Sequence, residues 1–483
     1  MNVRTILWLV GVVLSVVALA ETAGLVTAVA LGEPWQPFAI SVGLGLVLAG
    51  LCLFPARRSE LSLDHRSAFM AVTLAWVSAC LLGAIPLYQN EALGIPLVDA
   101  LFESTSGLTT TGATVLSGLD HMPRSVLLWR SLSQWLGGMG MVLLGIAVFP
   151  ILGLGGMQLF KAEAPGPTKD KLTPRIAETA KLLWVLYFGL TAIDAGLLYL
   201  GGMTPFDAIC HSMTTIATAG FSTHDDSLGF YNSGYINVVT SIFMLLGGTS
   251  FAILHTSLIR GIPWADHPEL RLYFGIFALA VVLVTLDLRF ASAAEYPDTA
   301  SALENAVFQV ASILSTTGYT TRDYDLWPPL SHAVLLMLFF VGSMAGSTGG
   351  GVKVIRVLLL ARLAFSQFFR LVHPHGYGTI KVGGIAVDDE ALKGAVGFVG
   401  MWILVLGIGM ALIALLGSDI FTSFAAAAVT LGNIGPGMGG VGPAHTYEHF
   451  GPAAKLVMIG LMILGRLEIY TALVILTPGF WRR

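Results

Sequence analysis

The chain has 483 residues, of which 55% are hydrophobic and 11% charged, with a net charge of −4. Soluble domains carry about 25% charged residues, so a mean hydropathy of +0.79 excludes a large water-facing surface and implies a chain solvated mostly by lipid. The small net charge gives no reason to expect a nucleic-acid partner, and Cys52, Cys80 and Cys210 have neither disulfide nor zinc spacing, which leaves them as packing residues.

At the N-terminus, Arg4, the apolar run from Ile6 to Val17 and Ala18-Leu19-Ala20 before Glu21 imitate a cleavable signal peptide. Apolar residues resume after Glu21, so an uncut helix over 5–31 is the preferred reading. A bilayer core about 30 Å thick takes about 20 apolar residues per spanning helix. By that measure ten spans are predicted, near 5–31, 37–54, 68–88, 125–150, 180–201, 234–259, 270–290, 330–360, 391–417 and 453–477. The predicted fold class is an all-α polytopic membrane protein. Two N-terminal transmembrane helices occupy 1–66, and four parallel span–pore-loop–span repeats occupy 67–155, 176–262, 268–372 and 388–483. Basic residues gather after alternate spans: Arg57, Arg58 and Arg66, then Lys161, Lys169, Lys171 and Arg175, then Arg260 and Arg271, then Lys353, Arg356, Arg362, Arg370 and Lys381, and finally Arg482 and Arg483. Positive residues mark the cytoplasmic side, so both termini are predicted to be cytoplasmic.

Four outward connections are too long for simple loops, and each opens on a semi-apolar stretch too short to span: Asp99-Ala-Leu-Phe-Glu-Ser, Asp207-Ala-Ile-Cys-His-Ser, Asn305-Ala-Val-Phe-Gln-Val and Asp419-Ile-Phe-Thr-Ser-Phe. Re-entrant half-helices fit these lengths, and an acidic residue or Asn suits a helix N-terminus. The stretches run into Thr109-Thr-Thr-Gly-Ala-Thr114, Ala217-Thr-Ala-Gly-Phe-Ser222, Ser315-Thr-Thr-Gly-Tyr-Thr320 and Thr430-Leu-Gly-Asn-Ile-Gly435. Irregular backbone at this depth survives only against water or inside protein. Its carbonyl oxygens can replace a cation's hydration shell, and glycine permits the backbone angles this needs.

At these turns the sequence resembles the Trk/Ktr/HKT superfamily of potassium transporters, most of all the bacterial TrkH/TrkG branch with two extra helices before four repeats. The resemblance covers essentially the whole chain. Besides the turns, Ser133-Gln-Trp-Leu-Gly-Gly138 and Ala345-Gly-Ser-Thr-Gly-Gly-Gly351 carry it. It implies potassium uptake across the bacterial inner membrane through one pseudo-fourfold pore, a homodimer, and a cytosolic ring of nucleotide-binding TrkA-type subunits. The potassium ion would be held at Thr111 and Gly112, Ala219 and Gly220, and Thr317 and Gly318. In the fourth copy Asn433 precedes an apolar residue, as a filter Gly should, yet Gly432 keeps the 13-residue offset from Asp419 that Asp99–Gly112 and Asp207–Gly220 show. Gly432 and Asn433 are therefore the predicted fourth pair. Each turn lacks the second Gly of potassium channels, which suggests softer discrimination against sodium or rubidium.

The second spans align at Gly137-Gly138, Gly247-Gly248, Ala345-Gly346 and Gly465-Arg466. Small residues permit close helix contact. Gly346, Gly349, Gly350 and Gly351 fall so close together that a break inside the membrane is predicted. Arg466, central in an apolar span, costs at least about 2.5–3.5 kcal/mol and should face a cavity or a partner such as Glu468. In the family the Gly-rich interruption and this Arg restrict flow below the filter, which makes these residues a predicted gate. Lys353 and Arg356 would face anionic lipid or the cytosolic partner; His445 and His449 read as ordinary loop residues. No His-Glu-x-x-His and no nucleophile beside a base supports an enzyme. The competing transport readings are a proton- or sodium-coupled symporter and an organic-solute carrier, the latter requiring inverted repeats.

Overall fold

A computed structural model describes residues 2–56, 64–147, 172–261, 263, 266–373 and 379–482. Arg57, Arg58, Lys161, Lys169, Lys171 and Arg483, among the basic residues that orient the helices, lie outside the described residues. Two antiparallel helices lead the chain, α1 (Val3–Leu31) and α2 (Gln36–Leu53). Gly32 closes α1 in the left-handed conformation, and Pro37 sits in the first turn of α2, where its missing N–H removes one donor that would have no helical acceptor.

Four similar units follow. The first contains α3 (His65–Gly83), the short α4 (Leu97–Leu108) and α5 (Arg124–Ala147). The second contains α6 (Leu172–Leu200), the short α7 (Pro205–Ile216), α8 (Gly234–Gly247) and α9 (Phe251–Arg260). The third contains α10 (Pro268–Ala291), the short α11 (Thr299–Leu314), α12 (Pro329–Leu338) and α13 (Val354–Val372). A two-residue hairpin, β1 (Lys381–Val382) with β2 (Ile385–Ala386), leads to the fourth: α14 (Asp389–Leu415), the short α15 (Ile420–Gly432), α16 (Pro452–Arg466) and the turn α17 (Tyr470–Leu473).

The short helices α4, α7, α11 and α15 hold 12, 12, 16 and 13 residues. At 1.5 Å per residue none can cross about 30 Å of hydrocarbon. They form the centre of the molecule instead, and Ala425 to Ala428 of α15 are wholly buried. Around them α1, α2, α6, α10 and α14 bury no more than about a third of their most apolar stretch and present Leu, Val and Phe side chains outward. A soluble protein does not leave so much apolar helix exposed; lipid covers it.

Among the described residues six helices are long and apolar enough to cross a membrane unbroken, and two helix pairs would do so only as bent spans. The span expected near 330–360 is not one helix. It stops at Leu338 and resumes at Val354, with irregular backbone between them and left-handed glycines at 346 and 351. The span expected near 453–477 turns by 110° after Arg466, and the one near 234–259 turns by 101° after Gly247. The first of these bends places Glu468 and Ile469 at positive φ, a conformation that local sequence disfavours and only packing sustains.

Candidate functional site

Each short helix ends in the same turn. Thr111, Ala219, Thr317 and Ile434 donate their N–H groups to carbonyls five residues back, those of Ser106, Thr214, Ser312 and Val429, over 2.8–3.0 Å. The residue before each is left-handed (Thr110, Thr218, Thr316 and Asn433, φ 49–60°) and so is the glycine after it (Gly112, Gly220, Gly318 and Gly435, φ 77–95°). For Thr that conformation costs of order 1–3 kcal/mol, and three wholly buried Thr residues hold it here.

The four turns close into a ring. A Cβ added to Gly112 would lie 2.2 Å from the carbonyl oxygen of Ala219, and one on Gly220 would lie 2.1 Å from that of Thr317. A Cβ on Gly318 would lie 2.1 Å from the oxygen of Ile434, and one on Gly435 would lie 2.6 Å from that of Thr111. Each turn thus presses its glycine against the preceding residue's carbonyl in the next repeat, in the order one, two, three, four and back to one. The short helices converge on this ring with their C-terminal, partially negative ends. Aligned helix ends and carbonyl oxygens in dry surroundings favour a desolvated cation.

Thr111, Gly112, Ala219, Gly220, Thr317 and Gly318 all lie in the ring. The fourth pair does not fall where it was expected. Gly432 is the last residue of α15, and its carbonyl faces the Gly350 segment beneath the ring. Asn433 stands at the level of Thr110, and Ile434 with Gly435 completes the circle. The acidic residues that open the short helices occupy different helical positions. Asp99 and Asp207 are third residues of their helices, whereas Asp419 is the N-cap, its carboxylate accepting the N–H of Thr422 (3.0 Å). Counted from the third helical residue, Thr422, the 13-residue offset arrives at Gly435. The pattern Asn433-Ile-Gly435 beside Thr110-Thr-Gly112 was the available signal. Asn305 likewise is not at a helix start; Asp298 caps α11 and accepts from Ser301 N–H.

Directly below the ring lies the segment between α12 and α13. Gly350 N–H donates to the Thr316 hydroxyl (2.8 Å), and the Thr348 hydroxyl meets that of Thr218 (3.0 Å). Arg466 is buried at the same level. It donates to Thr348 O (2.8 Å) and, on the opposite side, to Gly137 O of α5 (2.7 Å). Its guanidinium therefore bridges the loop and the first repeat across the pathway. Glu468 pairs with Arg356 of α13 rather than with Arg466, and Arg356 also stacks 3.8 Å over Phe398. Lys353 turns inward to Gly349 O and is buried, so it faces neither lipid nor a partner. Glu269, at the start of α10, was not foreseen: one oxygen accepts from both Ala345 N–H (2.9 Å) and Ile355 N–H (3.1 Å), the two ends of the loop.

Above the ring, on the side where the short helices begin, the His224 ring lies between the carboxylates of Asp120 and Asp207 and stacks on Phe230. Burial works against its charge, but the two carboxylates prevail and raise its pKa above 6.5.

Four pore-loop repeats around a ring of backbone carbonyls, with the buried Arg466 guanidinium beneath, define a membrane protein of the cation-transporting class. The chain belongs to the TrkH family, described as cation transport proteins, whose family model matches residues 36–479. It is 44% identical to the Trk system potassium uptake protein TrkH of Salmonella typhimurium over 92% of each chain. It is 35% identical to the Trk system potassium uptake protein TrkG of Escherichia coli over 92% of this chain and 91% of that one. The crystal structure of the potassium transporter TrkH from Vibrio parahaemolyticus superposes with a TM-score of 0.92 at 39% identity, covering all of both chains.

Proposed function

We propose that this protein takes up potassium ions across the bacterial inner membrane through the four-repeat ring. The observation that carries the reading is the closed cycle of glycine-to-carbonyl contacts at Gly112, Gly220, Gly318 and Gly435. Potassium would exchange water for the oxygens at Thr111 and Gly112, Ala219 and Gly220, Thr317 and Gly318, and Ile434 and Gly435. Arg466 and the Gly346–Gly351 loop form the gate. The guanidinium repels an entering cation, and in low dielectric that repulsion is many times its value in water.

The names of the relatives, components of a Trk system, support a partner that works the gate. We take it to be a cytosolic nucleotide-binding ring of the TrkA type acting on a homodimer of this chain, with both termini cytoplasmic as the basic loops indicate. Flux of 86Rb+ or K+ into vesicles holding the purified protein, with and without that ring, tests the reading. Potassium entry that rises on adding the ring is expected. Vesicles that admit sodium and potassium alike, even with the ring bound and the protein folded, would overturn it.

A further inference from the structure

The helix after the first turn, α5, holds a side chain that the ion path and the gate leave unexplained. Gln134 is wholly buried. Its Nε2 donates to Ala219 O over 2.7 Å and its Oε1 accepts from Phe221 N–H over 3.0 Å. A backbone N–H can only donate, so the amide has one orientation. The two bonds straddle Gly220, and one of them ends on a ring carbonyl.

The other turns explain why repeat two needs a brace from outside. In turn one the hydroxyls of Thr109 and Thr111 bond each other (2.8 Å), and in turn three Ser315 and Thr317 do the same (2.7 Å). Turn four is tied by Asn433, which donates to Thr111 (2.9 Å) and to Met462 O (3.0 Å). Turn two has Ala217 and Ala219 at the positions of those hydroxyl pairs and cannot make the bond. One helical turn before Gln134, Arg130 adds a second attachment: it donates to Ser222 O (3.0 Å), lies 4.1 Å over the Phe221 ring and is itself held by Glu103 (2.8 Å). Repeat one therefore grips the backbone of turn two at 219, 221 and 222.

We propose that Gln134 is a positioning residue for ion selectivity, supplying to turn two the brace that turns one and three make with their own hydroxyls. A carbonyl oxygen has two lone pairs. The amide takes one of them at Ala219 and fixes its direction, leaving the other for the ion. Without it the carbonyl is free to tilt, and the ring loses its fixed size on one side.

The proposal rests on the reading of the ring as the filter, so Gly220→Val is included as a control. Potassium-to-sodium permeability ratios would be taken from reversal potentials of the full-length protein in planar bilayers with its regulatory ring. Gln134→Met keeps the length and loses both bonds. It should lower the ratio about fivefold, roughly 1 kcal/mol, while partner binding persists. Adding Ala217→Ser and Ala219→Thr should restore the ratio, an outcome that a general packing defect would not give. If Gln134→Met does not fold, Gln134→Leu, which also removes both bonds without adding a charge, takes its place; it should lower the ratio as well. A ratio within twofold of wild type in whichever variant folds overturns the proposal. If Gly220→Val shifts the ratio and the Gln134 variants do not, the filter stands and the brace falls. If neither shifts it, the filter itself is misassigned.

Discussion

A Cβ at Gly435 lies 2.6 Å from the carbonyl oxygen of Thr111 and must also accept a φ of 95°, whereas a Cβ at Gly432 sits in helical backbone, 3.2 Å from the Ile434 side chain and in ordinary contact with Phe339 O at 3.6 Å. The two glycines stand three residues apart, and their substitutions should part company. Gly435→Val should abolish potassium selectivity through a clash added to about 1–3 kcal/mol of backbone strain. Gly432→Ala should leave selectivity within about twofold, since its Cβ needs only a small shift of a flexible side chain. Reversal potentials decide it, and the opposite order would return the fourth site to Gly432 and Asn433. His224 supports a prediction about pH. Its charged form gains from Asp120 and Asp207, so its folded pKa is raised and its contribution to stability is complete below 6.5. That contribution fades as pH rises through the raised value. The gap in melting temperature between wild type and His224→Gln should thus be open at about pH 6 and closed at about pH 9. A gap that is constant over this range would show that stacking on Phe230, not charge, fixes the ring. Gly112, Gly220 and Gly318 were legible in sequence because Thr and Gly recur in register there. The fourth glycine was not, because the acidic residue at the start of the short helix is a third helical residue in repeats one and two but an N-cap in repeat four.

The half-helices were readable from length alone, since about a dozen apolar residues cannot span a bilayer. The bends at 248–250 and 467–469 were not, because each follows from how a loop of another repeat packs against it. Met344 N–H reaches Gly248 O and Phe251 N–H reaches Gly346 O, contacts between residues about a hundred apart in sequence. The loop between α12 and α13, the proposed gate, is accordingly an element held from outside at named points: Arg466 at Thr348, the bend of repeat two at Gly346, and Glu269 on either flank of the glycine run. Beside Glu269 the hairpin packs Val382 against Ile355, Leu358 and Leu359, so force applied on that side reaches the same end of the loop. Arg466→Ala removes the charge and two bonds. It should raise partner-free flux at least about tenfold, corresponding to roughly 1.4 kcal/mol of closure. Glu269→Ala leaves two backbone N–H groups without their acceptor and should also raise basal flux, by a smaller factor of about 2–5 for a net loss on the order of 1 kcal/mol. Both variants should keep the potassium-to-sodium ratio, since neither residue touches the ring. Basal flux at the wild-type level in both, with the protein folded, would place the gate elsewhere.

At the scale of the whole molecule, four weakly similar units matter because a ring closes only when all four are present. Sequence spacing announced the number of units, but the order of contact around the ring depends on residues as distant as Thr111 and Gly435. That ring is made of backbone oxygens, which carry no proton to exchange for an ion, and this bears on what drives uptake. One elementary charge moving through 100 mV changes free energy by about 2.3 kcal/mol, enough for roughly fiftyfold accumulation. A passive pathway needs only a negative interior. In vesicles with potential clamped and the proton and sodium gradients collapsed in turn, potassium uptake should persist at an unchanged initial rate. It should fall exponentially as the potential is reduced, by about a factor of ten in final accumulation for each 60 mV, the equivalent of 1.4 kcal/mol. Uptake that stopped with either gradient at constant potential would identify a symporter. The proton- or sodium-binding group would then have to lie outside the carbonyl ring, in a part of the path that changes access during the cycle.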